Sequence, residues 1–417
     1  MTIKSTTILP LLRHDLELFE VMPGLLELYD TAGYTDVTVR LPSDLLALLL
    51  EADGQRTIDE IIATAATSKP IDRDKTIEVV QMLEQEGFLQ TQSYRDRRDE
   101  IHAEYNRLPV RPPAFAGSSY ADDPAALRRE LDGYLEAGQK LVEEHGAGGI
   151  DGVPRGLYVP HIDPRVGGDL YGAAYATIRE SDADTFVILG VPHTMRNDRL
   201  MFSRMDFDTP LGRLHTDREL IEAIADELEP TLGRRPTLDE APHMHEHSIE
   251  FQTIFLQHLF GDRQVRIVPL LLDGLFEWVE SGTGGVEEDA AWQTIYEALR
   301  SVPERLGRRV CFIASVDFCH FGRKFGDDRE ALGMFPEVET HDRRLIAAAE
   351  RGDHQAFVDD LTATRNAYRV CGVSPMYGLM RVLPEYHGRL LAWDRWDERE
   401  RDSGVSYAAM RFDPRGT

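Results

Sequence analysis

Cysteine is scarce in this sequence of 417 residues, which has three: Cys311, Cys319 and Cys371. An odd and sparse set does not indicate a disulfide framework, so we expect a reducing compartment where a thiol can serve as metal ligand or nucleophile. Long apolar runs are also lacking, because the longest, LLALLL at residues 45–50, is far too short to cross a membrane. The first twenty residues contain no apolar stretch typical of a signal peptide, and we therefore expect a cytoplasmic protein.

Basic residues are in deficit: 46 Lys and Arg stand against 73 Asp and Glu, for a net charge of −27. So acidic a surface repels phosphate backbones and anionic lipid heads, which predicts neither nucleic acid nor membrane as a partner. Apolar residues make up 42% of the chain and charged residues 29%, the balance of a folded globular protein. The length suits two or three domains.

Residues 1–95 form the first predicted domain. Extended segments flank Pro23-Gly24, and three helices then follow: one over LPSDLLALLLEADG, one capped by Thr57, and one closed by Gly87. The next residues, FLQT, predict a strand, which completes a winged-helix pattern. The phrases LLLEADGQRTIDEIIATAA and VVQMLEQEGFL resemble the PqqD-like winged-helix domain, which implies a short peptide as partner. The alternative is a helical domain that only packs on its neighbour.

Residues 96–112 are charged, end in prolines and predict a linker. From residue 113 to 417, apolar strand-like runs alternate with helical ones. The predicted strands are 156–160, 184–190, 265–272, 309–315 and 407–412, and the predicted helices are 126–144, 167–180, 216–228, 247–261 and 290–302. Strands that are apolar throughout favour an α/β domain with a mixed or largely parallel sheet and helices on both faces.

Residues able to bind metal or move protons follow three of these strands. The first strand runs into His161, the second into His193, and the fourth into Asp317 and Cys319. In open α/β sheets, ligands bind beyond the carboxyl ends of the strands, so we expect these side chains at one rim. Two imidazoles and a thiolate suit Cu(I), Zn or Fe(II).

A fourth segment, residues 243–250, opens a helix and places His247 and Glu250 three residues apart on one helical face. Asp163 and Asp317 are candidates for a fourth ligand, an orienting acceptor or a general base. Cys371, which precedes Gly372, is a candidate for the lining of the same pocket, and Cys311 is predicted to belong to the core.

Seven motifs occur in the order of the Memo family, whose bacterial members include AmmeMemoRadiSam system protein B. They are AFAGSSYADDPAALRRELDGYL, VPHIDP, ILGVPHT, DTPLG, EHSIEFQ, VDFCHFG and VCGVSP. The resemblance implies a fold similar to class III extradiol dioxygenases and a pocket of two histidines and one cysteine, matched here to His161, His193 and Cys319. It also implies iron or copper and a radical-SAM partner.

Two segments depart from the family pattern, Ile162-Asp163-Pro164 and the segment from Cys371 to Pro375. The resemblance therefore does not determine the shape and charge of the substrate side of the pocket. We therefore expect a metal-dependent redox or oxygen-using activity on an unknown small molecule. The alternatives are a scaffold in a radical-SAM-associated modification system, metal storage, and a hydrolase that uses Cys319 as nucleophile.

Overall fold

The computed structural model describes residues 3–65, 71–144, 152–196, 198–236, 238–282, 285 and 289–415. The chain divides after Arg107 into two compact units, here called unit 1 and unit 2. Within the described residues, no helix is both long enough and apolar enough to cross a membrane.

The described part of unit 1 contains a three-stranded antiparallel sheet and four helices. The strands are β1 (Leu16–Met22), β2 (Leu25–Asp30) and β3 (Val39–Pro42), in that order across the sheet. The helices are α1 (Ser43–Leu50), α2 (Ile58–Thr64), α3 (Arg73–Gln85) and α4 (Gln92–Tyr105).

Local sequence signals set the element ends in unit 1. Thr57 caps α2 in a capping box with Glu60, which satisfies backbone N–H groups at the start of the helix. Gly87 follows α3 with a φ of +81°, a left-handed conformation that favours glycine. One expectation is corrected, because the strand predicted at FLQT is a single bridge between Leu89 and Leu12. Residues 96–105 of the predicted linker belong to α4.

Unit 2 contains an eleven-stranded sheet and nine helices among its described residues. The strands are β4 (Val110–Arg111), β5 (Gly156–Val159), β6 (Thr185–Gly190), β7 (Leu200–Phe202), β8 (Asp206–Thr209), β9 (Gly212–Thr216), β10 (Arg266–Leu272), β11 (Val310–Ser315), β12 (His320–Gly322), β13 (Tyr386–Glu398) and β14 (Ser403–Pro414). The helices are α5 (Pro124–Glu144), α6 (Pro164–Ala176), α7 (Arg218–Leu232), α8 (His247–Phe260), α9 (Phe276–Ser281), α10 (Ala290–Arg305), α11 (Ala331–Arg351), α12 (His354–Thr364) and α13 (Val373–Val382).

The sheet has a parallel centre with antiparallel strands on its flanks. Its order is β12-β14-β5-β11-β6-β10-β9-β8-β4, with β13 paired to β14 and β7 to β10. Strands β5, β11, β6 and β10 are mutually parallel, whereas β14 runs antiparallel to β5.

Apolar side chains of the central strands pack on both faces of the sheet. On β5 and β6, Tyr158 and Val187 join one hydrophobic cluster, whereas Leu157 and Phe186 join another. This alternation buries the strands on both sides, as parallel sheets require. The prediction of an α/β unit with a mixed, largely parallel sheet covered by helices is confirmed.

Helices α5 and α6 pack against each other through glycine. A Cβ added to Gly172 would lie 1.8 Å from the carbonyl oxygen of Tyr134, and one added to Gly138 would lie 2.0 Å from the backbone nitrogen of Ala173. These atoms are backbone, so they cannot yield as the tip of a side chain would. Because α6 begins three residues after His161, this contact fixes the helix that follows the first candidate histidine.

We predict that Gly172→Ala destabilises unit 2 by about 3 kcal/mol or more, because the added methyl group forces the two helices apart. Gly133→Ala is the matched control on α5, where a Cβ would meet nothing within 4 Å. That variant should be neutral or more stable by up to about 1 kcal/mol. Denaturant unfolding of both variants checks the prediction, and equal stabilities would contradict it.

Candidate metal centre

Three parallel strands end at one edge of the sheet and carry the candidate residues there. His161 follows β5, His193 follows β6, and Asp317 follows β11. Strand β11 lies between the other two. The centroids of the His161 and His193 rings are 4.9 Å apart. The expected meeting of strand ends is therefore observed for these two histidines.

Hydrogen bonds fix which ring nitrogen of each histidine carries the proton. The Nδ1 atom of His161 lies 2.9 Å from the carbonyl oxygen of Ser315. The Nδ1 atom of His193 lies 3.0 Å from a carboxylate oxygen of Glu246. Both oxygens only accept, so Nδ1–H must donate and the neutral ring keeps a lone pair on Nε2. A metal-binding histidine has this same arrangement.

Cys371 completes the group. Its Sγ lies 3.2 Å from Nε2 of His161, and one ligand atom each of His161, His193 and Cys371 lie within 4.8 Å of one another. Gly372 allows this approach, since a Cβ there would lie 2.6 Å from Cβ of Val316. The segment that carries Cys371 can thus pack directly against the end of β11.

Cys319, the expected third ligand, lies in a different cluster. Its thiol is fully buried and donates to Oδ1 of Asp342 at 3.0 Å. After β11 the chain runs beside β14, where the Phe318 N–H donates to the carbonyl of Ser406. This path carries Cys319 against α11, so the assignment of Cys319 to the pocket is corrected in favour of Cys371.

Glu246 and His247 complete one side of the centre. Glu246 is fully buried before α8 and accepts the backbone N–H of His193 at 2.8 Å and that of Ser248 at 2.8 Å. The ring of His247 stacks on that of His193, with centroids 4.4 Å apart, and lies 5.2 Å from that of His161. His247 was expected at the site, whereas Glu246 was not. Its position directly before the helix, as an acidic N-cap, is the signal that could have identified it.

Burial and neighbouring charge separate the protonation states of these groups. Burial, with the charge of His193, lowers the pKa of His161 to about 3. The same two causes hold the pKa of His247 well below its ordinary value. For His193 burial also disfavours the charged form, but Glu246 outweighs it and raises the pKa. Burial alone would raise the pKa of Glu246, yet the charge and hydrogen bonds of His193 lower it. The site thus combines an ionised carboxylate with neutral imidazoles at His161 and His247.

Asp317 lies beside the histidines, as expected. Its Oδ1 accepts the backbone N–H of His161 at 3.0 Å, and its Oδ2 lies 3.7 Å from Nε2 of that ring. Burial raises its pKa to about 6, against the effect of His320 and of backbone N–H groups. A carboxyl group with such a pKa can hold or release a proton near neutral pH.

Asp163 and Glu250, both expected as catalytic groups, have structural partners instead. Asp163 caps α6, accepts the backbone N–H of Arg165 and pairs with its guanidinium at 2.6 Å. Glu250 is fully buried and accepts from Arg111 at 2.5 Å, from the backbone of Ala114 and Phe115, and from the hydroxyl of Tyr120 at 2.5 Å. The side chain of Glu250 therefore anchors the segment that enters unit 2.

We predict that Glu250→Ala destabilises unit 2 by about 3–5 kcal/mol, because it leaves the buried guanidinium of Arg111 without its carboxylate. Glu136→Ala, at an exposed position of α5, is the control and should change stability by less than about 0.5 kcal/mol. Thermal or denaturant unfolding measures both. A Glu250 variant as stable as the control would restore a catalytic reading for this residue.

Comparison with known proteins finds relatives that match most of this chain. The family model described as Memo-like protein matches residues 111–411. A MEMO1 family protein of Aquifex aeolicus is 31% identical over 389 residues, which cover 92% of this chain and 94% of that protein. Another MEMO1 family protein, of Methanococcoides burtonii, is 33% identical over 281 residues, 66% of this chain and 88% of that protein.

A solved structure, the uncharacterized protein JW3007 from Escherichia coli, aligns with 61% of this chain and 98% of its own at 12% identity. Its TM-score of 0.33 is too low to support an argument about the fold. The family model and the sequence relatives, in contrast, cover most of unit 2 and its candidate centre. By these matches, the chain belongs to the Memo family.

Proposed function

We propose that His161, His193 and Cys371 bind one iron or copper ion, and that the protein uses it for redox or oxygen chemistry on a small molecule. The observation that carries the proposal is the convergence of three donors at the carboxyl ends of parallel strands. Two of these donors are the Nε2 atoms of His161 and His193. Each keeps a free lone pair, because Nδ1 of the same ring donates a hydrogen bond.

The donor set fits the proposed metals. Imidazole is a good ligand for iron and copper, and thiolate adds a soft donor. Three protein ligands leave open positions, which is the usual property of catalytic rather than structural sites. When bound, iron or copper would supply a redox-active centre with those open positions. His193 is partly exposed, with 30% of its side-chain surface accessible, so a small molecule can reach the centre.

Residues around the donors would orient them and move protons. Glu246 accepts from both the backbone and the ring of His193 and so holds that ring in one tautomer. Burial holds the pKa of the Cys371 thiol well above its ordinary value. Metal binding would therefore displace the thiol proton. Asp317, which accepts the backbone N–H of His161, is the group suited to hold a proton during a reaction.

A thiol in place of a carboxylate argues against a strict ring-cleaving dioxygenase, whose iron has two histidines and one carboxylate. Similarity to that fold stays a prediction. The same holds for the peptide bound by unit 1, the radical-SAM partner and the cytoplasmic location. Metal storage and a scaffold role remain the alternative functions, and the metal content of the protein distinguishes them.

Full-length protein purified without oxygen and reloaded with Fe(II) or Cu(I) should contain about one equivalent of metal at this centre. The variant with His161→Ala, His193→Ala and Cys371→Ser should lose that equivalent, because it has none of the three donors. Cys311→Ala is the matched control, since Cys311 is a buried cysteine of β11 outside the centre.

Metal content by mass spectrometry, followed by an oxygen-uptake screen, separates the outcomes. Metal with oxygen uptake supports the proposal, and metal without any turnover favours storage. Failure to bind iron or copper in the wild-type protein would contradict both readings and favour the scaffold.

We predict that Glu246→Gln weakens iron or copper binding about 10–100-fold, as loss of the carboxylate partner of a ligating histidine generally does. The reason is that the amide is uncharged and replaces one of the two acceptor oxygens with an NH2 donor, so it holds the Nδ1–H of His193 less firmly. Competition with a chelator measures the affinity. The control is Asp163→Asn, which changes a nearby carboxylate that caps a helix, and equal affinities in the two variants would contradict the prediction.

A further inference from the structure

A second group of metal-compatible side chains lies in the core of unit 2, apart from the centre described above. It consists of Cys319, which precedes β12, and His341 and Asp342 of α11. At most 1% of the surface of each residue is accessible. The Sγ atom lies 3.0 Å from Oδ1 of Asp342 and 3.5 Å from Nδ1 of His341, and the last two atoms are 4.0 Å apart.

The polar atoms of Asp342 and His341 that face away from the thiol have other neighbours. Oδ2 of Asp342 accepts the indole N–H of Trp393 at 2.8 Å, so Oδ1 is left facing the thiol. Nε2 of His341 lies 3.4 Å from Oδ2 of Asp360, and Oδ1 of Asp360 binds Arg344 at 2.5 Å. A proton on Nε2 of His341 is favoured, since a bare nitrogen there would face a carboxylate.

With that tautomer, the three atoms that face one another, here called the inner atoms, have too few protons for the hydrogen bonds that they need. The sulfur, the bare Nδ1 of His341 and Oδ1 of Asp342 share one proton, that of the thiol. It can satisfy only one of the two acceptors, and a buried acceptor without a donor is costly. Neither Nε2 of His341 nor Oδ2 of Asp360 has a geometrically good hydrogen bond among the described residues. A cation at the centre of the group would satisfy all three inner atoms.

The spacing of the inner atoms fits a tetrahedral ion. Bonds of about 2.3 Å to sulfur and about 2.0 Å to nitrogen or oxygen place the donors of zinc about 3.3–3.6 Å apart. Of the observed separations, the 3.5 Å between sulfur and Nδ1 falls within that range, whereas the 3.0 Å between sulfur and Oδ1 lies below it and the 4.0 Å between Nδ1 and Oδ1 above it. Asp360 lies beside Nε2 of His341, on the side where a carboxylate commonly orients a metal-binding histidine.

We propose that Cys319, His341 and Asp342 form a second, closed metal site that holds a zinc ion. Binding would release the thiol proton to solvent, so that a thiolate and a carboxylate together balance the two positive charges of the ion. Such neutrality suits a fully buried site, where an uncompensated charge is costly. Three protein donors leave one position for a water molecule or the second carboxylate oxygen.

This site would connect α11 to the segment that carries Asp317, since Cys319 lies two residues further along the chain. Three protein donors are more usual in catalytic sites, but these three residues are buried away from any substrate, so the role of the ion would be structural. The site is independent of the proposed iron or copper centre. The zinc should remain when the first centre is destroyed.

The test uses full-length protein expressed in zinc-supplemented medium, because a closed site fills most readily during folding. The background is the variant with His161→Ala, His193→Ala and Cys371→Ser, which lacks the first centre. We expect about one equivalent of zinc in this background, and its loss on further substitution with Cys319→Ala or with His341→Gln. The control is Cys311→Ala, which should keep the zinc.

Expression with cobalt in place of zinc gives a second, spectroscopic readout, which reports the ligands of the ion directly. The background protein should show the absorption of a tetrahedral cobalt–thiolate site, and the Cys319→Ala protein should not. Background protein that is folded yet binds neither zinc nor cobalt would overturn the proposal. Zinc that survives both Cys319→Ala and His341→Gln would overturn it as well.

Discussion

The buried carboxylate of Glu246 is the interaction on which the candidate centre most depends. It accepts hydrogen bonds from the backbone and ring of His193 and from the first turn of α8. A fully buried charge requires such partners, and here they come from a strand end and a helix start. The Glu246 carboxylate therefore joins β6 to α8 and fixes the tautomer of His193. It also places His247 against the ring of His193.

Around this carboxylate, the rest of unit 2 supplies two further donors from distant parts of the chain. His161 arrives at the end of β5, and its Nδ1 is bound by the carbonyl of Ser315 on the neighbouring strand. Cys371 arrives between α12 and α13, where Gly372 lets the backbone touch the end of β11. Secondary structure thus positions the two histidines, whereas a close backbone contact positions the thiol.

The sequence predicted the parts of this arrangement that depend on local pattern. Apolar runs gave β5, β6, β10 and β11, and the residues that follow them gave His161, His193 and Asp317. Cys319 was misassigned because it also follows a strand, while the path beside β14 that removes it from the pocket is a tertiary feature. Cys371 was predicted only as a candidate for the lining of the pocket. Its position depends on residues 323–402, where no pattern predicted α11, α12, α13 or β13. Glu250 shares a helical face with His247, but its partner Arg111 lies 139 residues away.

In the proposed centre Cys371, and not Cys319, is the thiol that joins His161 and His193 around a metal. X-ray absorption at the iron or copper edge of the loaded protein tests it directly, because that edge does not respond to zinc elsewhere in the chain. We expect a metal–sulfur distance of about 2.3 Å that is lost in Cys371→Ser and retained in Cys319→Ser. Loss of the sulfur signal in Cys319→Ser, with retention in Cys371→Ser, would contradict it.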